Sequence, residues 1–375
     1  MMEHEFRKCK TIVELVDRII ENSGKRVAIC GWALKGSGGD CRVIEQQAKD
    51  LFDNGYDVTI FVLEADISLP QGVKIEVIGL PKNSYLSRIY RLIFPLIIYK
   101  MFKYAKKLEE FDLIICHRYP LVYLCYFAKK LYGIKYIYWF HHYPDPSHFP
   151  SLMHKLWIKL IGWLEAKSCP VKKADIICSV SEFSRRQLKE VGNIDSIVIP
   201  NKVRKLKKGV YSIELRHKYG IKENEYVMLF VGRIVPYKNI HSLIRVYKLV
   251  KNSIPNLKLV IVGNPSTKDY FEKLKEIADD GVIFTGYIPD EDLYGLYSIS
   301  DVYVTCSLLE GFDLPLKEAE LFGLPAVAFD IPAHREVAGP NTILVKKDNI
   351  EQFAKAVLKI LQQKKLSKTQ KGCVN

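Results

Sequence analysis

The chain has 375 residues, nearly half of them hydrophobic, and a formal net charge of +14. One ordinary hydrophobic core cannot organise this length, so we expect a globular protein of two domains. The excess of basic residues indicates a polyanionic neighbour, for which nucleic acid, acidic lipid and phosphorylated metabolites all qualify. Nine cysteines without a C-x-x-C pair are typical of buried thiols in a reducing compartment.

The N-terminal segment MMEHEFRKCKTIVEL is too polar for a secretory signal. No apolar run reaches the roughly 18 residues that a membrane-spanning helix needs. We therefore expect a cytoplasmic protein, whose positive charge leaves peripheral association with the cytoplasmic face of a membrane open.

Short apolar runs alternate with helical patterns from the start of the chain to its end. The predicted strands of the first half are KRVAICGW, YDVTIFVL, VKIEVIGL, FDLIICH, KYIYWFHH, ADIICSV and SIVIPN. Those of the second half are YVMLFVGR, KLVIVGN, GVIFTGY, DVYVTCS and PAVAFD. Helices are predicted at Val43–Asn54, Ile240–Asn252, Thr267–Asp279, Leu316–Phe322 and Ile350–Gln363. Continuous Val/Ile/Leu runs indicate strands buried on both faces, and their alternation with helices predicts parallel sheets.

A basic stretch near residues 201–224 lacks a strong apolar stripe and indicates a join between domains. We predict an α/β protein with an N-terminal domain at 1–203 and a C-terminal domain at 204–375. Each domain would be a doubly wound, Rossmann-like parallel sheet that binds ligands beyond the carboxyl ends of its strands. Two such domains that face each other make a central cleft, where small-molecule sites are common.

The stretch SLLEGFDLPLKEAELFG, residues 307–323, joins a predicted strand to a predicted helix. Glu310 lies in the loop, Pro315 suits the first helical turn, and Glu318 follows one turn later. The backbone amides of 312–314 would then point out of a helix start, where an anion is stabilised. Two carboxylates that flank an anion site fit a sugar phosphate; the alternative is a solvated loop charge and a helix N-terminal charge.

The stretch FVGRIVPYKNI, residues 230–240, places two cations beyond the end of another buried strand. The strand ends at Gly232, and the loop that follows carries Arg233 and Lys238. A fork-shaped and a point-like donor together suit a diphosphate. An ordinary surface loop is the alternative.

Two stretches of the N-terminal half add weaker signals. Gly36, Gly38 and Gly39 lie between the first strand and its helix, where backbone can approach a ligand closely, although a plain strand-to-helix turn is the alternative. They have neither the G-x-G-x-x-G spacing nor the Lys-Ser/Thr of a P-loop. His141 and His142 close a strand in IYWFHHYPDP, and no cluster at metal-ligand spacing accompanies them, so structural histidines are the alternative.

Two basic segments carry aromatic and aliphatic residues between their charges. The stretch 84–108 contains six Lys or Arg residues and no acid, and 154–167 continues the pattern with two tryptophans. Such segments can lie in a bilayer interface and attract anionic lipid. Helices packed on the sheet with a solvated basic face are the alternative.

Taken together, these motifs resemble the retaining glycosyltransferases of family GT4, which have the two-domain GT-B fold. EGFDLPLKE resembles the family's E-x7-E element, GRIVPYKNI its G-R-x-x-x-x-K element, and GSGG its N-terminal glycine loop. The segment ICSVSEFSRRQL resembles the one that closes the family's first domain. The resemblance covers most of the chain and is most specific between Phe230 and Gly339.

The resemblance implies a hexosyltransferase that moves a sugar from a nucleotide sugar to a glycan or lipid-linked glycan at the membrane surface. The N-terminal domain would serve the acceptor and the C-terminal domain the nucleotide sugar. Arg233 and Lys238 would hold the donor diphosphate, Glu310 would contact the transferred sugar, and Glu318 would bind the ribose. The remaining implied site residues are His142, with His141 as the alternative, and the donor-binding Gly38, Gly39, Gly311, Phe312, Asp313 and Leu314.

The resemblance also implies front-face attack with retention of the anomeric configuration, and no metal or cofactor besides the nucleotide-sugar co-substrate. Asp313 stands where the family usually has glycine, which could change the fit of the sugar. The competing hypotheses are a non-catalytic GT-B protein that binds nucleic acid or another polyanion, and another GT-B enzyme, either an inverting transferase or a sugar-nucleotide epimerase. Missing nucleic-acid signatures disfavour the first, and the E-x7-E pairing disfavours the second.

Overall fold

The computed structural model describes residues 5–20, 24–34, 39–66, 72–148, 152–203, 213–266 and 268–372. Contacts divide the chain into two compact units, Met1–Lys202 (unit 1) and Val203–Asn375 (unit 2). Each unit has its own parallel sheet and its own buried apolar clusters. The predicted fold class, two Rossmann-like parallel-sheet domains, is therefore confirmed.

Unit 1 contains a seven-stranded sheet in the order β3-β2-β1-β4-β5-β6-β7, and all neighbouring strands are parallel. Its strands are β1 (Arg26–Gly31), β2 (Asp57–Val62), β3 (Lys74–Val77), β4 (Leu113–His117), β5 (Lys135–Phe140), β6 (Ile176–Ser179) and β7 (Ile197–Val198). Its helices are α1 (Ile12–Ile20), α2 (Gly39–Asp53), α3 (Ser84–Ile93), α4 (Ile98–Leu108), α5 (Leu121–Tyr132), α6 (Leu152–Ala166), α7 (Cys169–Lys172) and α8 (Glu182–Gly192). The order reverses between β1 and β4, so that pair marks the crevice where such sheets bind ligands.

Unit 2 contains a six-stranded parallel sheet in the order β10-β9-β8-β11-β12-β13. Its strands are β8 (Tyr226–Val231), β9 (Leu257–Val262), β10 (Val282–Gly286), β11 (Val302–Thr305), β12 (Ala326–Phe329) and β13 (Thr342–Val345). Its helices are α9 (Ile213–Lys218), α10 (Ile240–Lys251), α11 (Lys268–Ile277), α12 (Asp290–Ile299), α13 (Leu314–Leu321), α14 (Pro332–Val337) and α15 (Ile350–Gly372). Here the order reverses between β8 and β11, which places both cation-bearing and acid-bearing loops at one crevice.

The burial of the strands explains why they read as continuous apolar runs. Every residue of β4, β8 and β11 is buried, because helices cover both faces of the sheets. At Pro95 a short 3-10 turn (Phe94–Leu96) separates α3 from α4, because proline cannot continue the hydrogen-bond ladder. Among the described helices, none combines the length and the apolar composition needed to cross a bilayer.

Candidate active site

Two loops meet at the reversal point of unit 2. One follows β8 and ends in a 3-10 turn at Pro236–Lys238, and the other follows β11. The backbone amide of Leu308 donates to the carbonyl oxygen of Tyr237 over 2.8 Å, which fixes the two loops to each other. The residues that the sequence singled out on the two loops are therefore neighbours in space.

Lys238 and Glu310 form a buried ion pair between these loops. The ammonium of Lys238 donates to Oε1 of Glu310, and the two residues are only 9% and 7% exposed. Burial lowers the pKa of Lys238, but the negative charges of Glu310 and Asp313 outweigh burial and hold that pKa above its ordinary value. The ammonium is therefore charged at neutral pH and points at the carboxylate of the loop that carries the acids.

Asp313 fixes the bend between Glu310 and α13. Its backbone lies in the left-handed region at φ 54°, and its Oδ1 accepts from the amide of Leu316 over 3.3 Å, which caps the helix. Its Oδ2 lies 2.8 Å from Nε2 of the fully buried His334, whose Nδ1 lies 2.6 Å from the carbonyl oxygen of Phe329. The ring of His334 therefore lies between two oxygen atoms and ties the bend at Asp313 to the end of β12.

The carboxylate of Asp313 faces the protein and not a ligand. Its side chain is 1% exposed. Burial raises the pKa of Asp313, but the hydrogen bond from His334 and the positive charge of Lys238 hold it below its ordinary value. Asp313 can therefore influence the fit of a sugar through the backbone of the bend, and its assignment to the donor site stays a prediction.

The start of α13 offers backbone donors beside the ion pair. Pro315 lies in the first turn of this helix, as predicted, and the helix begins at Leu314, two residues before the predicted start. Among the described residues we find no hydrogen-bond acceptor for the amides of Phe312, Asp313 and Leu314, which is the usual state of the first amides of a helix. They supply the positive end of the helix at the point where the cation loop arrives.

Glu318 lies one turn further along α13 and is held from behind. Its Oε2 accepts from the hydroxyl of Tyr297 on α12 over 2.8 Å, and both side chains are buried. The ring of Tyr297 stacks on Phe322 with centroids 5.2 Å apart. Tyr297 therefore orients Glu318, and no feature near Tyr297 in the sequence signals this role.

Arg233 lies on the same loop as Lys238 and is half-buried. Its Nη2 lies 3.2 Å from the hydroxyl of Tyr237. The start of this loop is tightly packed, since a Cβ on Gly263, just after β9, would lie 2.1 Å from the carbonyl oxygen of Gly232. The path of the loop that carries Arg233 is thus set by backbone contacts with the end of β9.

Glu310, Asp313 and His334 each present one atom with the chemistry of a metal ligand, all within 4.8 Å of one another. The hydrogen bonds assign these atoms to other partners, because Glu310 receives the ammonium of Lys238 and both nitrogens of His334 face acceptors. A divalent cation at this point would have to displace that ammonium. The donor set fits a held lysine better than a metal.

In unit 1, the predicted glycine loop is only partly visible. Gly36 and Gly38 lie outside the described residues, and Gly39 is the first residue of α2. Among the described residues, no atom lies within 4 Å of the position that a Cβ on Gly39 would take. The assignment of Gly38 and Gly39 to the donor phosphate stays a prediction.

A hydrogen-bonded series of buried polar side chains, the His117 network, lies at the carboxyl edge of the unit 1 sheet. His117, the last residue of β4, has its Nδ1 3.0 Å from Nε2 of His141 and its Nε2 3.0 Å from Oε1 of Gln47. Burial lowers the pKa of His141 to about 4, so its ring is neutral at neutral pH. The charge of Asp40, 3.6 Å from that ring, is balanced instead by Arg118, whose Nε lies 3.1 Å from Oδ2 of Asp40.

The two candidate histidines differ in their surroundings. His141 is buried within the His117 network. His142 is half-buried, and its carbonyl oxygen accepts a hydrogen bond from Arg118 over 3.3 Å. The assignment of the active-site histidine to His142, with His141 as the alternative, stays a prediction. His117 was missed, although its place at the end of the strand FDLIICH is the same signal that pointed to the other two.

Comparison with known proteins agrees with this geometry in both units. The family model described as Glycosyltransferase Family 4 matches residues 37–204, and the one described as Glycosyl transferases group 1 matches residues 212–372. This chain belongs to the GT4-type glycosyltransferases. The predicted family and the prediction of an enzyme are thereby confirmed.

Curated relatives of this glycosyltransferase include two from Escherichia coli. The UDP-Gal:alpha-D-GlcNAc-diphosphoundecaprenol alpha-1,3-galactosyltransferase is 28% identical over 290 residues, which cover 73% of this chain and 72% of the relative. O-antigen chain mannosyltransferase B is 28% identical over 207 residues, which cover 50% of this chain and 52% of the relative.

Solved structures share the fold of the glycosyltransferase. WaaG, a glycosyltransferase involved in lipopolysaccharide biosynthesis, has a TM-score of 0.70 at 16% identity and covers 91% of both chains. Anabaena HepE in complex with UDP-glucose has a TM-score of 0.68 at 18% identity, over 91% of this chain and 90% of HepE. At these identities the likeness establishes the architecture alone.

Proposed function

We propose that this glycosyltransferase is a retaining hexosyltransferase that moves a sugar from a nucleotide sugar to a lipid-linked glycan at the cytoplasmic face of a membrane. The observation that carries the proposal is the buried Lys238–Glu310 pair beside the start of α13, at the reversal point of the unit 2 sheet. Cations, helix amides and a carboxylate converge there on the space of one sugar diphosphate.

The donor diphosphate would lie against Arg233, Lys238 and the amides of 312–314. An ammonium has three N–H groups, so Lys238 can keep its bond to Glu310 and still offer two donors to phosphate oxygens. These groups are fixed before the reaction, and they face the charge that grows on the diphosphate as the glycosidic bond breaks. Such preorganised stabilisation of a leaving group is commonly worth several kcal/mol, about 2.7–4 kcal/mol for a single donor.

Glu318 would bind the ribose, because two oxygens of one carboxylate can accept bonds from vicinal hydroxyls. Tyr297 occupies one lone pair of Oε2 and leaves the carboxylate further acceptor capacity. The UDP-glucose complex of HepE makes uridine diphosphate sugars the first donors to test.

The contacts of Glu310 and Asp313 support front-face attack with retention of the anomeric configuration. A double displacement would need a free carboxylate nucleophile, as in retaining glycosidases. Glu310 and Asp313 are instead engaged by Lys238 and His334. The leaving diphosphate would then take the proton of the acceptor hydroxyl while the protein positions the two sugars.

The donor assignment can be tested by thermal stabilisation with UDP-, GDP- and ADP-sugars, since a bound ligand raises the melting temperature by mass action. One nucleotide should stabilise the wild type, and Glu318→Ala should need more of it. Arg233→Ala and Lys238→Ala should lower turnover, whereas Lys248→Ala, an exposed lysine of α10, should not. Wild-type turnover in an Arg233/Lys238 double variant would contradict the assigned roles.

Retention is tested separately, by NMR of the anomeric proton in the first product formed. The product should have the anomeric configuration of the donor sugar. An inverted configuration would leave the donor site intact but would remove the front-face mechanism.

Two exposed apolar surfaces in unit 1 support a membrane-linked acceptor. The α3–α4 surface carries Leu96 and Tyr99, each 75% exposed, together with Tyr85, Leu86, Ile98 and Phe102. The α6 surface carries Leu152, Met153, Leu156 and Trp163. The α3–α4 surface lies among lysines and arginines and the α6 surface among lysines, a composition that binds anionic bilayer interfaces. The galactosyltransferase relative, whose name specifies a diphosphoundecaprenol-linked acceptor, points the same way.

Flotation with anionic vesicles at low salt tests this surface. The wild type should float, and Leu96→Glu/Tyr99→Glu should stay at the bottom of the gradient. Tyr287→Glu, which changes an exposed aromatic residue of unit 2, should float like the wild type. Failure of the wild type to float would remove the membrane proposal.

A further inference from the structure

Unit 1 contains a cavity of about 160 Å³ that involves no residue assigned to the donor. It lies between the start of α1, one face of α2, the end of β5 and the chain that follows β7. We name it the α2–β5 pocket. Its apolar walls are Ile12, Val43, Ile199 and Pro200. Its polar lining consists of Lys10, Thr11, Gln46, Gln47, Asp50, Trp139, Asn201 and Lys202.

Three residues of this pocket have buried polar atoms whose hydrogen bonds are unmet. Oε1 of Gln46, Nε1 of Trp139 and Oδ1 of Asn201 have no partner among the described residues. A buried polar atom without a partner is costly and rare, so three around one cavity require an explanation. The terminal torsions of Asn and Gln are broad, which lets both amides turn toward an occupant.

The pocket also holds a carboxylate with spare acceptor capacity. Oδ1 of Asp50 accepts from Nε2 of Gln46 over 2.8 Å and from Nζ of Lys202 over 3.0 Å. Its Oδ2 accepts no hydrogen bond within the described part of the chain. Lys202 balances the charge of Asp50, and Lys10, a second cation of the lining, is exposed to solvent. The buried atoms that lack partners are two amide oxygens and one indole N–H, all of them uncharged.

This chemistry selects the class of occupant. Hydroxyl groups can donate to the amide oxygens and the carboxylate, and can accept from the indole, whereas the C–H face of a sugar ring can lie on the apolar walls. A volume of about 160 Å³ is below the roughly 300 Å³ at which pockets for drug-sized ligands begin. A nucleotide sugar is therefore too large, and a single sugar ring is of suitable size.

We propose that the α2–β5 pocket is a second carbohydrate site, which binds one neutral monosaccharide unit. It is distinct from the donor site and does not depend on it. Gln47 also lines the pocket, and its Oε1 lies 3.0 Å from Nε2 of His117. An occupant therefore contacts the helix that begins at Gly39 and supports the buried histidines.

The tryptophans give a site-specific measurement. All four lie in unit 1, and only Trp139 lines the pocket. We would follow the indole N–H signals by NMR during titration with D-glucose, D-galactose, D-mannose and N-acetyl-D-glucosamine, with glycerol as a reference. Trp139→Phe assigns the signal, and at least one sugar should shift it saturably while the other three indole signals stay in place.

Asn201→Leu and Gln46→Leu each remove one unmet acceptor at similar volume and should weaken binding by roughly three- to tenfold. Either variant suffices if the other fails to fold. Gln363→Leu, on the exposed side of α15, should bind like the wild type. Lys238→Met should also retain the response, which separates this site from the donor site.

Three results would overturn the proposal. They are no shift of the Trp139 signal with any sugar, an equal shift with glycerol at the same hydroxyl concentration, and undiminished binding in both leucine variants. Since donor binding is measured independently with nucleotide sugars, the two proposals fail separately.

Discussion

Replacing Lys238 by Met should destabilise unit 2 strongly, because it leaves the carboxylate of Glu310 buried without its cation. The two side chains are 11% and 8% exposed. Breaking a buried ion pair by removal of one partner costs about 3–5 kcal/mol. Coulomb's law gives a similar figure, about 4 kcal/mol for charges roughly 4 Å apart at an effective dielectric constant near 20.

Removing both charges should cost much less, because no buried charge remains. Buried pairs replaced by apolar residues of similar volume are often neutral or stabilising. In a double-mutant cycle, Lys238→Met and Glu310→Leu should therefore show a coupling energy of about 3 kcal/mol. Donor binding should be lost in the single and double variants alike.

The positions of the tryptophans allow the unfolding of the two units to be followed separately. The four tryptophans, at positions 32, 139, 157 and 163, all lie in unit 1. Urea unfolding followed by tryptophan fluorescence thus reports unit 1, and the circular dichroism transition reports both units. The loss should appear in circular dichroism with the fluorescence transition unmoved, and Lys248→Met should change neither. Additive effects of the two substitutions, or a loss below about 1 kcal/mol in Lys238→Met, would refute the buried-pair reasoning.

Three further predictions concern groups around the two sites. Tyr297→Phe removes a hydrogen bond to the carboxylate of Glu318 and should lower the stability of unit 2 by about 1.5–3 kcal/mol and weaken nucleotide binding, measured by calorimetry. Asp313→Ala should be more destabilising than Asp313→Gly by about 1 kcal/mol in urea unfolding, because both lose the cap and the contact with His334 but only glycine tolerates the left-handed backbone. The pKa of His141 is about 4 when folded and near 6.5 when unfolded, so the unfolded chain binds the extra proton between these values and stability falls as pH drops from 6.5 to 4, by at most about 3 kcal/mol. His141→Gln should make this slope shallower in the fluorescence assay; an unchanged slope would contradict the burial of a neutral ring.

Most strands could be predicted from the sequence because both faces of the central strands are covered, which gives them continuous apolar runs. All twelve predicted strands are present. Strand β13 was not predicted because its apolar run, TILV, is only four residues long and half-exposed. The helix at 316–322 was predicted to begin two residues late, since Asp313 caps it from the left-handed backbone region, which is uncommon for any residue other than glycine.

The loops of the site could be located, but not their internal partners. Because Lys238 and Glu310 each follow the end of a strand, both were predicted to bind the ligand. Their bond to each other joins residues 72 positions apart in the chain. The contact of Asp313 with His334 and that of Tyr297 with Glu318 each span 21 positions. No local pattern encodes such pairs, because they depend on which strands lie side by side.

The close contact between Gly263 and Gly232 means that a residue without a side chain can affect the rate of the reaction. Any larger residue at 263 would have to push the carbonyl of Gly232, and with it Arg233, by about an ångström, a displacement that can cost on the order of a hundredfold in rate. A screen for inactive variants should therefore recover substitutions of Gly263 together with those of the charged residues. The cause would be a displaced Arg233, since the glycine itself takes no part in the chemistry.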